Sequence, residues 1–144
     1  MSAHGAKIAL MVSDVYIDSN IFIYAIDGSG ELKTKAKARL EQLVAEGFHL
    51  HSSEIAIGEC LRGVDRSKEE PARQFMTMLE NQAFVTLAPV TRRIIERAAA
   101  IGAEFRLKLV DAIHVATAET LGCQTFLTND RGIRAPVGIS IEAL

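Results

Sequence analysis

Short runs of β-branched and aromatic residues recur along this chain, and amphipathic segments of helical length separate them. The runs are MVSDVYI at 11–17, FHLHS at 48–52, FVTLA at 84–88 and QTFLT at 124–128, with GISIEAL at 138–144 as a candidate fifth. Apolar runs this short, bounded by turn residues, read as buried strands. Helices are expected from Ser19 or Asn20 to Ala25, then over 31–46, 54–63, 71–82, 91–105 and 110–121. Leu32, Ala36, Leu40, Leu43 and Val44 share one face of the 31–46 helix, and Gly47 stops it. Ser52 or Ser53 caps the next helix, Pro71 is tolerated in a first turn, Thr91 opens a helix and Gly122 closes one. DGSG at 27–30 is a turn cluster and VDRSKEE at 64–70 a charged loop. Strands that alternate with helices require parallel crossovers and a sheet covered on both faces. The expected fold class is therefore α/β, three layers deep, around a central and mainly parallel sheet of four or five strands.

The bounds agree with that class. A chain of 144 residues, 49% hydrophobic and 24% charged, can bury one core. Residues 11–144 read as one domain, and residues 1–10 as a leader, either disordered or an over-extended start. A net charge of -2 argues against nucleic-acid binding by bulk charge, but not against a local basic surface beside an acidic site. Cys60 and Cys123 lie far apart and outside any metal-ligand spacing, so they read as free thiols in a reducing compartment. No apolar run approaches the roughly 18 residues of a membrane span. A cytoplasmic location with no membrane partner is expected.

Four acids lie next to apolar runs instead of in charged loops. Asp18 falls where the first strand ends, inside VYIDSNIFIY. Glu59 lies on the helix after the second strand, Asp111 begins the helix DAIHVATAETLG, and Asp130 ends TFLTND. In open parallel sheets, sites gather at the carboxyl ends of strands. Each acid alone has an ordinary explanation: Asp111 as a helix N-terminal acid, Glu59 as a solvated helix residue, Asp130 as part of a turn. Their joint appearance in one α/β pattern carries the argument.

These residues resemble the motifs of the PIN-domain nucleases, and among them the small toxin ribonucleases of the VapC type. YIDSNIFIYA is similar to the first motif, with Asp18 in the acidic and Asn20 in the supporting polar position. SEIAIGECLRG is similar to the second and presents Glu59; LVDAIHVATA is similar to the third and presents Asp111. FLTND is similar to the fourth, with Thr128 and Asp130. Cys60 stands where a larger aliphatic residue is usual, and Ile133 where an aromatic one often follows the last acid.

Carboxylates without a His or Cys ligand set suit hard cations, Mg²⁺ or Mn²⁺. Because Mg²⁺ keeps several waters, some of the acids would hold water instead of metal. The resemblance implies hydrolysis of phosphodiester bonds in single-stranded RNA by an endoribonuclease, the toxin of a toxin–antitoxin pair. Asp18, Glu59, Asp111 and Asp130 would bind metal and orient water; Asn20 and Thr128 would supply supporting hydrogen bonds. The resemblance further implies a cognate antitoxin, laid into the acidic groove and along an apolar seam of IFIYA and the 31–46 helix, and a homodimer. Arg106, Lys108, Arg131 and Arg134 flank two of the acids and are candidates for RNA phosphate contacts, with a solvated surface as the plain alternative.

Other readings were weighed on the same residues. His114, three positions after Asp111, is a proton carrier, a substrate contact or a packed histidine. His49 and His51 alternate along a strand with no evident third ligand for zinc. A phosphatase of the haloacid type wants a second acid where Asn20 stands, and a receiver domain wants paired acids and a late lysine that TFLTND does not supply. A catalytically silent interaction module sharing the fold would be expected to have lost some of the acids. Finally, two carboxylates about 5 Å apart repel by roughly 3 kcal/mol at an effective dielectric near 20. Asp18→Asn is therefore expected to melt at or above the wild type in metal-free buffer.

Overall fold

The computed structural model describes residues 14–144. The expected leader, and the start of the first strand at 11–13, lie outside the described residues. The elements run β1 (Asp14–Ile17), α1 (Ser19–Asp27), α2 (Gly30–Ala45), β2 (His49–Ser53), α3 (Ile55–Arg62), α4 (Glu69–Leu79), β3 (Val85–Ala88), α5 (Arg92–Phe105), α6 (Leu109–Leu121), β4 (Thr125–Leu127) and β5 (Ser140–Glu142). All five strands are parallel, in the order β3-β2-β1-β4-β5.

β1 occupies the centre, and Val15, Tyr16 and Ile17 are all buried. Period-two geometry sends these side chains to opposite faces. Val15 and Ile17 pack with Leu50, Val85 and Leu127 and with Leu40 and Leu43 of α2, Cys60 of α3, and Phe75 and Leu79 of α4. Tyr16 and Phe126 pack with Ile94, Ala98 and Ile101 of α5 and with a nearly continuous buried stretch of α6, from Ala112 to Ala118. Handedness explains the division. A chain stepping from β1 to β2 to β3 lays right-handed crossovers on one face; the return from β3 to β4 lays α5 and α6 on the other. Cys60 and Ile133, the two departures from the motif pattern, are both buried in these cores.

Several boundaries differ from expectation for local reasons. Asp18, not Ser19 or Asn20, caps α1: its backbone is extended and its side chain accepts from Ser19 N. The helix continues past Ala25 to Asp27, where Gly28 N–H bonds Tyr24 O. Glu54 takes the cap position of α3, while Ser53 Oγ accepts from Ile55 N at 3.1 Å. The helix expected at 71–82 is Glu69–Leu79. Glu69 and Glu70 favour its positive N-terminal end. Asn81 ends it by bonding Ala83 N through its side chain, 3.1 Å, and Phe84 N and Val85 N through its carbonyl. On α2, only Ala36, Leu40 and Leu43 are buried; Leu32 and Val44 lie exposed on the flanks of the expected face. Among the described residues no helix is long and apolar enough to cross a membrane.

Two glycines give opposite expectations. A Cβ at Gly28 would stand 2.4 Å from Tyr24 O and 2.9 Å from Tyr24 Cα, both backbone atoms that cannot swing aside, whereas one at Gly58 inside α3 meets nothing within 4 Å. Gly58→Ala is expected to stabilise the protein by about 0.5–1 kcal/mol through helix propensity. Gly28→Ala is expected to destabilise it by at least about 1 kcal/mol, as overpacked positions do. Urea titrations of both variants check this pair.

Candidate active site

The strand order reverses between β1 and β4. β1 leads to β2 on one side, and β4 is reached only after the chain has crossed to the other. Ligand crevices in open α/β sheets form at such a reversal, beyond the carboxyl ends of the strands. Asp18 follows β1 there, and Thr128 follows β4. Asp18 N–H donates to Leu127 O at 2.9 Å, so the strand pairing itself sets the acid beside Thr128.

The Asp18 carboxylate is 5% exposed and fully engaged. Oδ1 accepts from Ser19 N at 2.8 Å; Oδ2 accepts from Thr128 Oγ1 at 2.7 Å and from Asn20 Nδ2 at 3.2 Å. Asn20 also donates to Thr128 Oγ1, 3.1 Å, and accepts from Asn129 N, 3.1 Å. Thr128 Oγ1 accepts from Asp130 N at 3.0 Å. Asn20 and Thr128 are thus bonded both to the Asp18 carboxylate and to each other. Asp130 itself is exposed, and its Oδ1 accepts from Gly132 N at 2.8 Å, so its ordinary turn role is also present.

Glu59 reaches the site from α3 through two other side chains. Its Oε1 accepts from Ser19 Oγ at 2.6 Å and lies 2.5 Å from His114 Nε2. His114, fully buried on α6, also stands 3.2 Å from Ser19 Oγ and 3.7 Å from Asp18 Oδ1, and its Nδ1 meets Tyr16 Oη at 2.6 Å. Sequence reasoning passed over Ser19 and Tyr16 here and left His114 open. The adjacency of Ser19 to Asp18 was the one available signal for Ser19; Tyr16 offered none beyond its strand position.

The acids and His114 shift one another's titration. Burial raises the Asp18 carboxyl pKa, against the lowering effect of His114 and its hydrogen bonds. Burial also raises that of Asp111, half-buried in the first turn of α6, and the charges of Asp18, Asp130 and Glu59 add to it. Glu59 goes the other way: burial is outweighed by the bonds and charge of His114, by Ser19 and by Arg62, so its carboxyl is lowered. His114 is raised, because Glu59, Asp18 and Asp111 together overcome its burial. Burial pushes the Cys60 and Cys123 thiols up to about 12, which leaves them inert as nucleophiles. Arg106, Lys108, Arg131 and Arg134 are exposed, and Arg106 takes a left-handed backbone, φ 57°, at the end of α5.

Among the described residues no three His, Cys, Asp or Glu side chains stand close enough to cage an ion. The donors therefore do not fit a closed transition-metal site. A set of carboxylate oxygens, with Asp111 raised by the charges of Asp18, Asp130 and Glu59, has the donor chemistry of a hydrated hard cation, which takes one or two carboxylates and keeps its waters. At the opposite end of the sheet, Asp14 supplies a partner that sequence reasoning did not give His51, with His51 Nε2 to Asp14 Oδ1 at 2.8 Å.

A family model described as the PIN domain matches residues 15–137. No sequence among the curated proteins matches the chain. Among solved structures, it is similar to a toxin–antitoxin complex from Klebsiella pneumoniae, at 23% identity and a TM-score of 0.63, over 87% of this chain and 94% of that one. It is similar to VapBC2 from Rickettsia felis bound to a DNA fragment from its promoter, at 18% identity and a TM-score of 0.67, over 90% and 98% of the two chains. It is also similar to FitAB bound to an IR36 DNA fragment, at 17% identity and a TM-score of 0.62, over 90% and 94%. At these identities the likeness is one of fold.

The electrostatics redirect the expectation for Asp18→Asn. Asp18 is held by three donors, and an amide there leaves one of them facing N–H instead of oxygen. Asp111 is the acid whose neighbours repel it. Its raised folded pKa means that the native state holds its proton to higher pH than the unfolded chain. This contribution to stability is present at low pH and falls as pH climbs from about 4 through the folded value. In EDTA near neutral pH, Asp111→Asn is expected to melt above the wild type. The gain is on the order of 0.5 kcal/mol, because solvent screens a half-exposed acid. Asp18→Asn is expected to melt below Asp111→Asn. Thermal melts from pH 4 to 8 check both the order and the shrinking of the Asp111→Asn gain toward pH 4.

Proposed function

The chain belongs to the PIN-domain family, and from that premise we propose that it is a metal-dependent endoribonuclease acting on single-stranded RNA. PIN domains are generally nucleases. The observation that supports the reading is that Asp111 feels the charges of Asp18, Asp130 and Glu59, with Asp18 at the end of β1 where the strand order reverses.

In this reading Asp18 and Asp111 hold Mg²⁺ or Mn²⁺, and Glu59 and Asp130 share the ligand and water-orienting roles. When bound, such a cation supplies the charge that acidifies the attacking water and offsets the negative charge of the phosphoryl group and leaving oxygen. The chain's own residues do the rest. Thr128 and Asn20 fix the Asp18 oxygen, so that the carboxylate does not reorganise during the reaction. Ser19 and His114 hold Glu59. Arg106, Lys108, Arg131 and Arg134, exposed and close in sequence to Asp111 and Asp130, would contact RNA phosphates in this reading.

The proposal extends to a toxin restrained by an antitoxin, and to a homodimer. Two of the fold neighbours are a toxin–antitoxin complex and VapBC2. The structure also offers a groove of about 420 Å³ between Ala25 and Ile26 of α1, Leu40 and Val44 of α2, Met78 of α4 and Phe84. Lys33, Lys37 and Arg73 line an adjoining hollow, so an apolar helix face flanked by acids fits both. α1 spans nine residues, about 13 Å, from Asp18 to this groove, and one peptide could engage both ends.

Purified protein is expected to cut a fluorogenic single-stranded RNA in Mn²⁺ and to stop in EDTA. Asp18→Asn and Asp111→Asn are expected to lower the rate at least about 100-fold, the scale of losing preorganised electrostatic stabilisation. Full activity in either verified variant contradicts the site. Cleavage in vitro combined with normal growth on expression without a partner contradicts the toxin reading and leaves the nuclease reading in place.

A further inference from the structure

Glu59 is the odd member of the acid set. Both of its hydrogen bonds fall on one oxygen, Oε1, and the side chain is 32% exposed, so its other oxygen lies on the open side. The two groups behind Oε1, His114 and Tyr16, form a polar line, with Ser19 Oγ also 3.2 Å from His114 Nε2. His114 is fully buried on α6 between Ile113 and Val115, and Tyr16 is fully buried on β1, stacked on Phe126 with ring centroids 5.0 Å apart. Leu and Phe would fill these two places without any buried polar atom, and an imidazole and a phenol in such surroundings are costly unless satisfied. Here they satisfy each other and end on Glu59: Tyr16 Oη to His114 Nδ1 at 2.6 Å, His114 Nε2 to Glu59 Oε1 at 2.5 Å.

The direction of this line follows from the chemistry of its end. An ionised carboxylate only accepts, so Nε2 must present hydrogen to Glu59. In the neutral ring that leaves Nδ1 bare, and the Tyr16 hydroxyl donates to it; in the charged ring Nδ1 donates to the phenol oxygen instead. Either way Nε2–H faces the carboxylate, and the Tyr16 hydroxyl, which can donate or accept, satisfies Nδ1 in both states. Burial raises the Tyr16 hydroxyl far above its usual range, so it keeps its proton.

We propose that Tyr16 and His114 are positioning residues that clamp Oε1 of Glu59 and so hold its second oxygen ready for a hydrated cation or its water. The proposal rests on the nuclease reading. A glutamate on the eight-residue helix α3 would otherwise keep its rotamer freedom. Outer partners that orient a ligand side chain typically carry a 10–100-fold effect on metal affinity or activity.

The test combines Mn²⁺ binding by calorimetry, RNA cleavage, and ring-nitrogen NMR of His114. His114→Leu is expected to weaken Mn²⁺ about 10-fold or more, His114→Gln to restore part of the loss because its amide can still donate to Glu59, and Tyr16→Phe to show a smaller loss in the same direction. In a Glu59→Gln background these losses are expected to shrink below about 2-fold, since non-additivity marks residues acting through one another. Losses of equal size in both backgrounds would make Tyr16 and His114 structural only and overturn the proposal. The NMR arm needs neither metal nor activity. It expects a protonated Nε2 in the wild type, and a bare Nε2 overturns the proposal even if cleavage is normal. A wild type that binds no Mn²⁺ and cuts no RNA defeats the nuclease reading and, with it, the role assigned to the clamp, whatever the ring state.

Discussion

β1 has a parallel neighbour on each side and a packed layer on each face, and the molecule is arranged around that position. The strand's three buried residues, Val15, Tyr16 and Ile17, leave no place for a charge among them. The carboxylate that follows can be kept only where the strand has just ended and the neighbouring strands' last residues offer donors. Asp18 lies at that point. The hydrogen bond from its backbone to Leu127 continues the ladder, and Thr128, one residue later, reaches its side chain. The same enclosure forces the return crossover through α5 and α6 onto the far face, which brings Asp111 and His114 to the crevice.

The four acids consequently live in different surroundings. Asp18 is buried and held by three donors, Glu59 is bonded through one oxygen to Ser19 and His114, Asp130 is exposed in a turn, and Asp111 faces the charge of the other three. A site built from four equivalent carboxylates would be both less stable and less selective. Dividing the roles lets some acids be held rigidly by the fold, while the repulsion concentrates on one that is near solvent. In the proposed reading, that concentration is what a bound hard cation would relieve.

Much of this was legible beforehand. The alternation of runs and helices carried the parallel sheet, and Asp18 and Asp111 could be marked because an acid amid VYI…IFIY or LV…AIHVA has no solvated loop to occupy. What could not be read depends on contacts made far along the chain. His114 meets Tyr16 across 98 positions and Glu59 across 55, and neither pairing exists until the strand order is known. The cap of α1 was misplaced for a smaller reason: Asp18, Ser19 and Asn20 are all good capping residues, and only the backbone decides among them. The fourth helix ended early because the side chain of Asn81 made a turn that its apolar periodicity concealed.

The central claim is that the strand reversal forms a site for a hydrated hard cation serving RNA hydrolysis. Anomalous diffraction from crystals grown in Mn²⁺ tests it most directly. The account expects a manganese peak beside the Asp18 and Asp111 carboxylates, with ordered water around it and toward Glu59. Well-occupied manganese elsewhere, for example at Asp14 and His51, with none at the crevice, would contradict it.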